Sequence, residues 1–347
     1  MKRLWLALIL LLAVFQANAL SLALDSIREW GKFPNFCVDV YRWGDRFFNT
    51  YDSAYVVGTG HKFNLKLRTE SWVDYYNFDL PNDMRMRMLS DPSTSTGFWL
   101  TYLAVSVGYD MNVSKYLGFT SGARKRFTFG FNCSLFAVDY YSVSNDVGTH
   151  ISKFGPHGNT TNPKIDFNGI NNNSWGLNFY YFFNHKKYSQ AAAFNFSKIQ
   201  KRSQGSLYAG FSFWRQKFIF DFSSLPDYMK DALPATWPDY TYRASNNNYA
   251  LKVGYGYNWV FAPKWILGVS ESPLLGIQTG WIDFPDKKKT SFAFYNNFRL
   301  SVVWNNKQWF AGAQCDVNIG LLYDKEYTFT NSIVTGIVSV GYRFNIW

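Results

Sequence analysis

The stretch FTFGFNCSLFA, residues 127–137, alternates between two kinds of side chain. Phe127, Phe129 and the other odd positions are apolar, whereas Thr128, Gly130, Asn132 and Ser134 lie between them. Successive side chains of a β-strand point to opposite faces, so a period of two predicts a strand with one apolar face and one polar face.

The same alternation recurs along the chain after residue 60. It is clear in residues 175–183, 249–259, 292–304, 311–321 and 338–346, and weaker in residues 61–71, 98–110, 188–200, 205–215, 217–223 and 265–281. Pro273 is expected to mark a bulge or a bend. The pattern predicts 12 strands, with ten as the alternative because residues 188–223 can also be divided into fewer crossings.

The connections between these strands alternate in length. Residues 184–187, 262–264 and 305–308 are short, whereas residues 73–97, 143–173 and 224–247 are long. Outer-membrane barrels have short turns at one end and long loops at the other. In hydrocarbon every backbone group needs a protein partner, so a β-structure there must close on itself. We therefore predict an all-β, antiparallel transmembrane β-barrel, against the alternative of a secreted β-sandwich.

The composition supports the barrel. Aromatic residues make up 20% of the 347 residues, yet the mean hydropathy is slightly negative at −0.21. An apolar, aromatic outer face combined with a polar interior accounts for both values. The three cysteines, Cys37, Cys133 and Cys315, lack metal-ligand spacing, and the sequence does not say whether two of them form a disulfide.

The first 19 residues have the three parts of a secretory signal peptide. Lys2 and Arg3 precede an apolar run, and small residues at positions 17 and 19 precede the expected cleavage point. We expect residues 1–19 to be a signal peptide, residues 20–60 a short periplasmic N-terminal extension, and residues 61–347 the barrel. The net charge of +11 fits nucleic-acid binding as well as membranes, but export argues against a nucleic-acid partner.

The chain ends on a strand that runs to Trp347. An aromatic residue at the end of an amphipathic strand is typical of a barrel delivered to the barrel assembly machinery. The sequence therefore predicts a protein of the cell outer membrane, with outer-membrane lipid and lipopolysaccharide as partners.

Three segments carry a resemblance to a known family. They are TYDSAYV (residues 50–56), FSKIQKRSQGS (residues 196–206) and GYRFN (residues 341–345). Together they resemble a family of Bacteroidota outer-membrane barrels known as domain of unknown function 4421, over roughly residues 45–347. The resemblance implies the fold and the location, and it brings no activity with it.

The polar faces of the strands predict the charges of the lumen. The basic residues expected there are Lys66, Arg68, Lys252, Arg299 and Arg343, and the acidic ones are Glu70 and Asp316. Five basic groups against two acidic ones favour a conduit or pocket for anions. The alternative is a lumen closed by its own ion pairs, as in many small barrels.

The sequence contains no nucleophile elbow, phosphate-binding loop or dinucleotide fingerprint. His61, His150, His157 and His185 form no metal-binding pattern, so we expect no catalytic site, metal or cofactor.

Two functions remain open. The first is a passive channel or small-solute transporter with a bias toward anions. The second is a structural or surface-binding barrel with a closed lumen, in which the extracellular loops, chiefly residues 143–173 and 224–247, carry the function. An outer-membrane lipid enzyme that uses His61 or His185 is a more distant alternative.

Overall fold

The computed structural model describes residues 50–345 apart from 81–82, 103–104, 118–123, 146–147, 157, 168, 234–240, 283–286 and 324–327. The expected signal peptide, residues 20–49 of the expected extension, Cys37 and His157 lie outside the described residues.

The described chain is almost entirely β-structure. Its strands are β1 (Val56–Gly58), β2 (Phe63–Leu80), β3 (Met84–Ser90), β4 (Ser93–Tyr102), β5 (Val105–Asn112), β6 (Arg124–Asn132), β7 (Phe136–Asn145), β8 (Thr149–Pro156), β9 (Ile165–Phe167), β10 (Ile170–Phe182), β11 (Lys198–Gln200), β12 (Gln204–Asp221), β13 (Thr241–Ala262), β14 (Trp265–Ile282), β15 (Lys287–Asn306), β16 (Trp309–Tyr323) and β17 (Thr328–Phe344). Short helical segments are α1 (Val113–Tyr116), a π-helix (Ala191–Asn195), a 3₁₀-helix (Phe222–Ser224) and α2 (Asp227–Lys230). Among the described residues, no helix is both long and apolar enough to cross a membrane.

Twelve of these strands form a closed antiparallel barrel. They are β2, β4, β5, β6, β7, β10 and β12 to β17, and the closing pair joins β17 to β2. Both ends of the described chain, the short turns and the connection from β10 to β12 lie at one end, here called the turn end. The remaining connections lie at the other end, the loop end. The predicted 12-stranded antiparallel barrel is confirmed.

The hydrogen-bond register gives the dimensions of the barrel. A row of directly paired residues that starts at Asn64 passes through every strand and returns to β2 at Phe78, 14 residues further along. For 12 strands, this stagger corresponds to a strand tilt of about 40° and a radius of about 12 Å. Such an interior is wide enough to hold a chain segment or a small molecule.

The outer face is apolar and exposed. On β13 the outward residues run from Tyr249 to Trp259, and Leu251 and Val253 are 70% and 60% exposed. This run spans about 25 Å along the barrel axis, which matches the apolar band of an outer-membrane barrel. A soluble sandwich would bury these side chains, so the exposed band rules out the sandwich alternative.

A small sheet rises from the barrel at the loop end. The upper half of β2 pairs with β3, which pairs with β8, and β8 pairs with β9. The inward face of this sheet, including Met86, Met88 and Ile151, is buried in an apolar cluster with Phe220 and α2. Much of residues 73–97 and 143–173, predicted as loops, is therefore strand.

The predicted number of strands was right because two missed turns were offset by two strands predicted in excess. Residues 98–110 and 127–137 were each predicted as one strand, yet each contains the end of one strand and the start of the next. The second reverses at Cys133, whose N–H donates to the Phe136 carbonyl at 3.0 Å. No Gly or Pro marks that turn, and the polarity alternates straight through it.

The opposite errors lie in residues 188–223. Residues 205–215 and 217–223, predicted as two strands, are largely one strand, β12, and residues 188–200 are not a barrel strand. Pro273 causes no change of register, since Lys252–Leu274 and Tyr255–Glu271 pair in step on either side of it. The expected bulge is therefore absent. Cys133 and Cys315 are both free thiols.

Candidate functional site

The structure places the predicted lumen charges on the inward face of the barrel. Lys66, Arg68, Glu70, Lys252 and Arg343 are buried, and Arg299 and Asp316 are partly buried. Arg299 and Asp316 lie on neighbouring strands and form an ion pair at 3.4 Å. Six of the seven lie in one belt across the middle and lower lumen, whereas Arg343 lies apart at the turn end.

The belt contains charges that the sequence reasoning missed. Asp74, Asp110, Arg126 and Asp139 also lie on inward positions of their strands. With them, the described inward side chains comprise six basic and five acidic residues, so among these residues the excess of positive charge expected from five against two nearly disappears. The unrecognised turns in residues 98–110 and 127–137 hid two of these four, Asp110 and Asp139, because the inward face cannot be followed through an unrecognised turn.

Glu70 is the centre of the best-connected ion pairs. Its side chain is 1% exposed and contacts both Arg68 and Arg126, the second at 3.2 Å. A buried carboxylate that is held by two guanidinium groups is strongly fixed, because leaving it without a cationic partner would bury an uncompensated charge.

Aromatic rings hold the two lysines of the belt. The Lys66 ammonium lies 4.9 Å from the centre of the Trp99 ring, and Arg68 stacks on the same ring at 4.9 Å. Lys252 lies 4.1 Å above the Tyr180 ring and donates to Asn178 at 3.3 Å. Trp99 fits there because a Cβ at Gly108 would clash with its ring. These cations are therefore held as parts of the wall rather than exposed as mobile charges.

A segment of the chain closes the turn end from inside. Residues 188–200, here called the plug, enter the barrel between β10 and β12 as a π-helix followed by β11. Ala192, Phe194 and Phe196 are buried in an apolar cluster with Ile266, Val303 and Phe310 of the barrel wall. Residues 188–200, which were predicted to cross the membrane as a strand, therefore fill the lumen at the turn end with apolar side chains.

Polar side chains from four strands fix the backbone of the plug. Asn258 donates to the Ser189 carbonyl at 2.8 Å, and Gln314 donates to the Phe194 carbonyl at 2.9 Å. Asn305 donates to the Lys198 carbonyl at 3.2 Å. β1 also pairs with β11. The plug is thus held by the wall and by the N-terminal segment together.

Arg343 is the fourth of these anchors. Its guanidinium donates to the Phe196 carbonyl, to the Lys307 carbonyl at 2.5 Å and to the Asn305 side chain at 2.9 Å, and it stacks on Phe310 at 4.3 Å. No carboxylate of the described chain lies within ion-pair distance of it. Arg343 therefore positions the plug and is not a charge that an ion would pass.

Aromatic side chains meet across the lumen at the loop end. Phe78 of β2 and Phe220 of β12 belong to opposite sides of the barrel, and their ring centres are 5.4 Å apart. Phe218 of β12 lies 5.7 Å from Phe329 of β17. The wall is thus drawn together above the belt of charges.

A cavity of about 1070 Å³ lies above the plug and reaches the loop end, where Phe220, Phe222 and the exposed Tyr323 line it. Gln190 and Phe194 of the plug line its floor, and Lys66, Arg126 and Arg299 line its lower wall. Leu274, Trp214, Ile333 and Phe329 line its upper part. The volume is at the upper end of ordinary ligand pockets. Charged groups line its lower part, and in its upper part the apolar side chains are mixed with polar ones such as Asn172, Asn246 and Gln278.

The described histidines do not come together. His61 and His185 lie at the turn end, whereas His150 lies at the loop end, 3.7 Å from Asp91. In the part of the chain that the structure describes, no group of three His, Cys, Asp or Glu residues is placed to hold a metal.

Solved structures with a similar arrangement are outer-membrane barrels. The outer-membrane protease OmpT from Escherichia coli is 10% identical over 81% of this chain and 96% of its own, with a TM-score of 0.37. An outer-membrane channel from Pseudomonas putida F1 is 10% identical over 80% and 95%, with a TM-score of 0.37. A TodX monoaromatic hydrocarbon channel mutant is 7% identical over 82% and 91%, with a TM-score of 0.30. Likeness at this level assigns no function.

The sequence comparison is more definite. No curated protein matches the chain. One family matches residues 50–344, which is most of the chain and nearly all of the described barrel. The chain belongs to the family described as domain of unknown function DUF4421.

Proposed function

We propose that this protein is an outer-membrane barrel with a closed lumen, which binds a small molecule inside the barrel. The observation that carries the proposal is the plug: residues 188–200 fill the turn end and are fixed by Asn258, Asn305, Gln314 and Arg343. A permanently open channel needs a continuous polar path, and buried phenylalanines at both ends oppose one.

The charges of the lumen support this choice over an anion channel. Among the inward side chains that the structure describes, six basic residues face five acidic ones, and the closest pairs neutralise each other within the wall. Ion selectivity comes from rings of like charge or from uncompensated donors along a pore. A balanced belt of this kind suits a polar ligand group that is bound by hydrogen bonds from several directions.

Membrane insertion and orientation belong to the same proposal. The exposed apolar band fits the hydrocarbon layer, and the short turns define the end that faces the periplasm in barrels of this kind. The signal peptide expected at residues 1–19 and the C-terminal aromatic strand support export and delivery to the outer membrane.

Conductance across a planar bilayer tests the closure. The wild-type barrel is expected to stay silent. R343M/Q314A removes the donors to the Phe196 and Phe194 carbonyls. It should produce conductance bursts as the plug detaches from the barrel wall. Q308A is the matched control, because Gln308 lies at the same end and its side chain donates to the Tyr342 hydroxyl, at 2.7 Å, and not to the plug.

Each outcome decides between the candidates. Steady conductance by the wild type would restore the passive channel and overturn the closed barrel. Silence of R343M/Q314A calls for a second variant in which glycine and serine replace residues 190–196. If that variant is also silent, the plug is not the barrier and the proposal fails.

Native mass spectrometry tests the binding role. The wild type purified from membranes should retain a small molecule, and L274W, which fills the cavity from its buried wall position, should lose it. Equal retention by both proteins would place the ligand outside the lumen and contradict the proposal.

A further inference from the structure

A concave basic surface lies on the outside of the barrel, away from the lumen. It is formed by Arg87 of β3, His150 and Lys153 of β8 and Lys164 of the β8–β9 connection, and is here called the basic groove. Its volume is about 560 Å³, and Asp166 is the one acidic residue that lines it among the described residues. Arg87, Lys153 and Lys164 therefore converge with His150 on one depression.

The groove is built by the alternation of the small sheet. The even positions of β3, such as Met86 and Met88, face the buried cluster, so Arg87 must face outward. Its guanidinium is held by Asn77 of β2 at 3.1 Å, and Ser152 of β8 bonds the Arg87 carbonyl at 3.2 Å. Arg87 is thus fixed against the floor of the groove, which lowers the entropy lost when it binds an anion.

The lysines of the groove have no acidic partner. Among the residues that the structure describes, no carboxylate lies within ion-pair distance of Lys153 or Lys164. Arg85 on the same face is different, because Asp79 neutralises it at 2.6 Å. The groove therefore keeps uncompensated positive charge while its neighbour does not.

The height of the groove points to its ligand. The outward face of β2 carries Leu65, Leu67, Thr69, Ser71 and Val73 in turn, and above Val73 it continues with Tyr75, Asn77 and Asp79. On β17, Val334 gives way to Ser332 and Thr330, which pair with Tyr75 and Asn77. This change marks the upper edge of the apolar band. The same Asn77 and Tyr75 pair with Arg87 and Leu89 of β3. The groove thus begins where the hydrocarbon ends and lipid headgroups begin.

We propose that the basic groove binds a phosphorylated headgroup of a lipid in the leaflet at the loop end. Phosphate offers several acceptor oxygens to Arg87, Lys153 and Lys164, and Leu89 beside them faces the start of the acyl chains. The site is separate from the lumen and does not depend on what the lumen binds.

The test measures retention of lipid A by the full barrel, folded in neutral detergent, using native mass spectrometry. The probes are lipid A with two phosphates, the same lipid A after phosphatase treatment, and inorganic pyrophosphate. Each basic residue near a membrane surface contributes about 1 kcal/mol, so R87Q/K153Q should weaken binding of the phosphorylated lipid about 30-fold. The heat-dependent gel shift checks that each variant is folded.

R215Q/K217Q is the matched control. Arg215 and Lys217 lie on the outer face of β12, are exposed and near the same height, but they do not line the basic groove. The control should bind within about 2-fold of the wild type. An equal loss of binding in both variants would mean that the lipid is attracted to any basic residue near the rim. Equal binding of the dephosphorylated lipid would mean that the phosphate is not recognised. Either result overturns the proposal. Pyrophosphate that binds as tightly as the lipid would identify free phosphate as the ligand and overturn the lipid assignment.

Discussion

Glu271 gives a quantitative test of whether the outer face lies in hydrocarbon. This carboxylate is exposed on β14, where it pairs with Tyr255 and Phe298, and it is surrounded by outward apolar residues such as Leu275. Asn296 donates to its Oε1 atom at 3.2 Å. In water, Glu271 would be an ordinary surface residue, but at the middle of a bilayer it lowers the stability of the folded barrel.

The expected magnitude follows from this arrangement. A basic residue at the middle of the lipid face costs about 2–4 kcal/mol and an acidic one less, so E271L should gain about 2 kcal/mol. The orphaned Asn296 amide then costs about 1 kcal/mol, which leaves a net gain of about 1 kcal/mol. E271L/N296L removes both polar groups and should gain at least about 2 kcal/mol. L251E, on the same face of the neighbouring strand, should lose about 2 kcal/mol.

The assay is reversible urea unfolding in phospholipid vesicles, followed by tryptophan fluorescence. The free energy of unfolding should rise from wild type to E271L to E271L/N296L and fall in L251E. A double variant less stable than the wild type, together with an unchanged L251E, would refute the assignment of this face to lipid.

Three further predictions concern the wall itself. The folded barrel should migrate faster on an unboiled gel than on a boiled one, and identical migration would contradict closure through β17 and β2. G108A forces the Trp99 ring out of its place and should destabilise the barrel by about 1–3 kcal/mol in the same urea assay, whereas G336A, whose nearest contact is Ser71 O at 3.9 Å, should be neutral; equal effects would refute the packing argument. Burial raises the pKa of the Cys133 thiol, so in a C37S/C315S background a maleimide should label Cys133 only after unfolding, and rapid labelling of the folded barrel would contradict its buried position.

The strand pattern of the C-terminal half could be read from the sequence. In β13 to β17, polar and apolar residues alternate and short turns separate the strands, so residues 249–259, 292–304 and 311–321 all fall inside observed strands. The N-terminal half could not be divided correctly, because the turn at Cys133 has neither Gly nor Pro and its polarity continues the alternation.

The site could be predicted only in part. Lys66, Arg68 and Glu70 lie on a strand whose register is unambiguous, so their inward direction follows from the period of two. The plug was read as a strand because Ala191 to Phe196 are as apolar as a membrane crossing. Whether such a run faces lipid or fills a lumen depends on partners distant in sequence, such as Gln314 and Arg343, and no local pattern contains that information.

The way the plug is held has a consequence for the order of assembly. The anchors of residues 188–200 come from β13, β15, β16 and β17, so they are made only after the plug itself. The barrel also has no closed wall until β17 pairs with β2. Pairing of β17 therefore completes both events, because Arg343, which donates to the Phe196 carbonyl of the plug, lies on the strand that closes the wall. A chain that lacks β17 would have neither a closed wall nor a fully anchored plug. Pairing of β17 would therefore give quality control a single, late signal that assembly is finished.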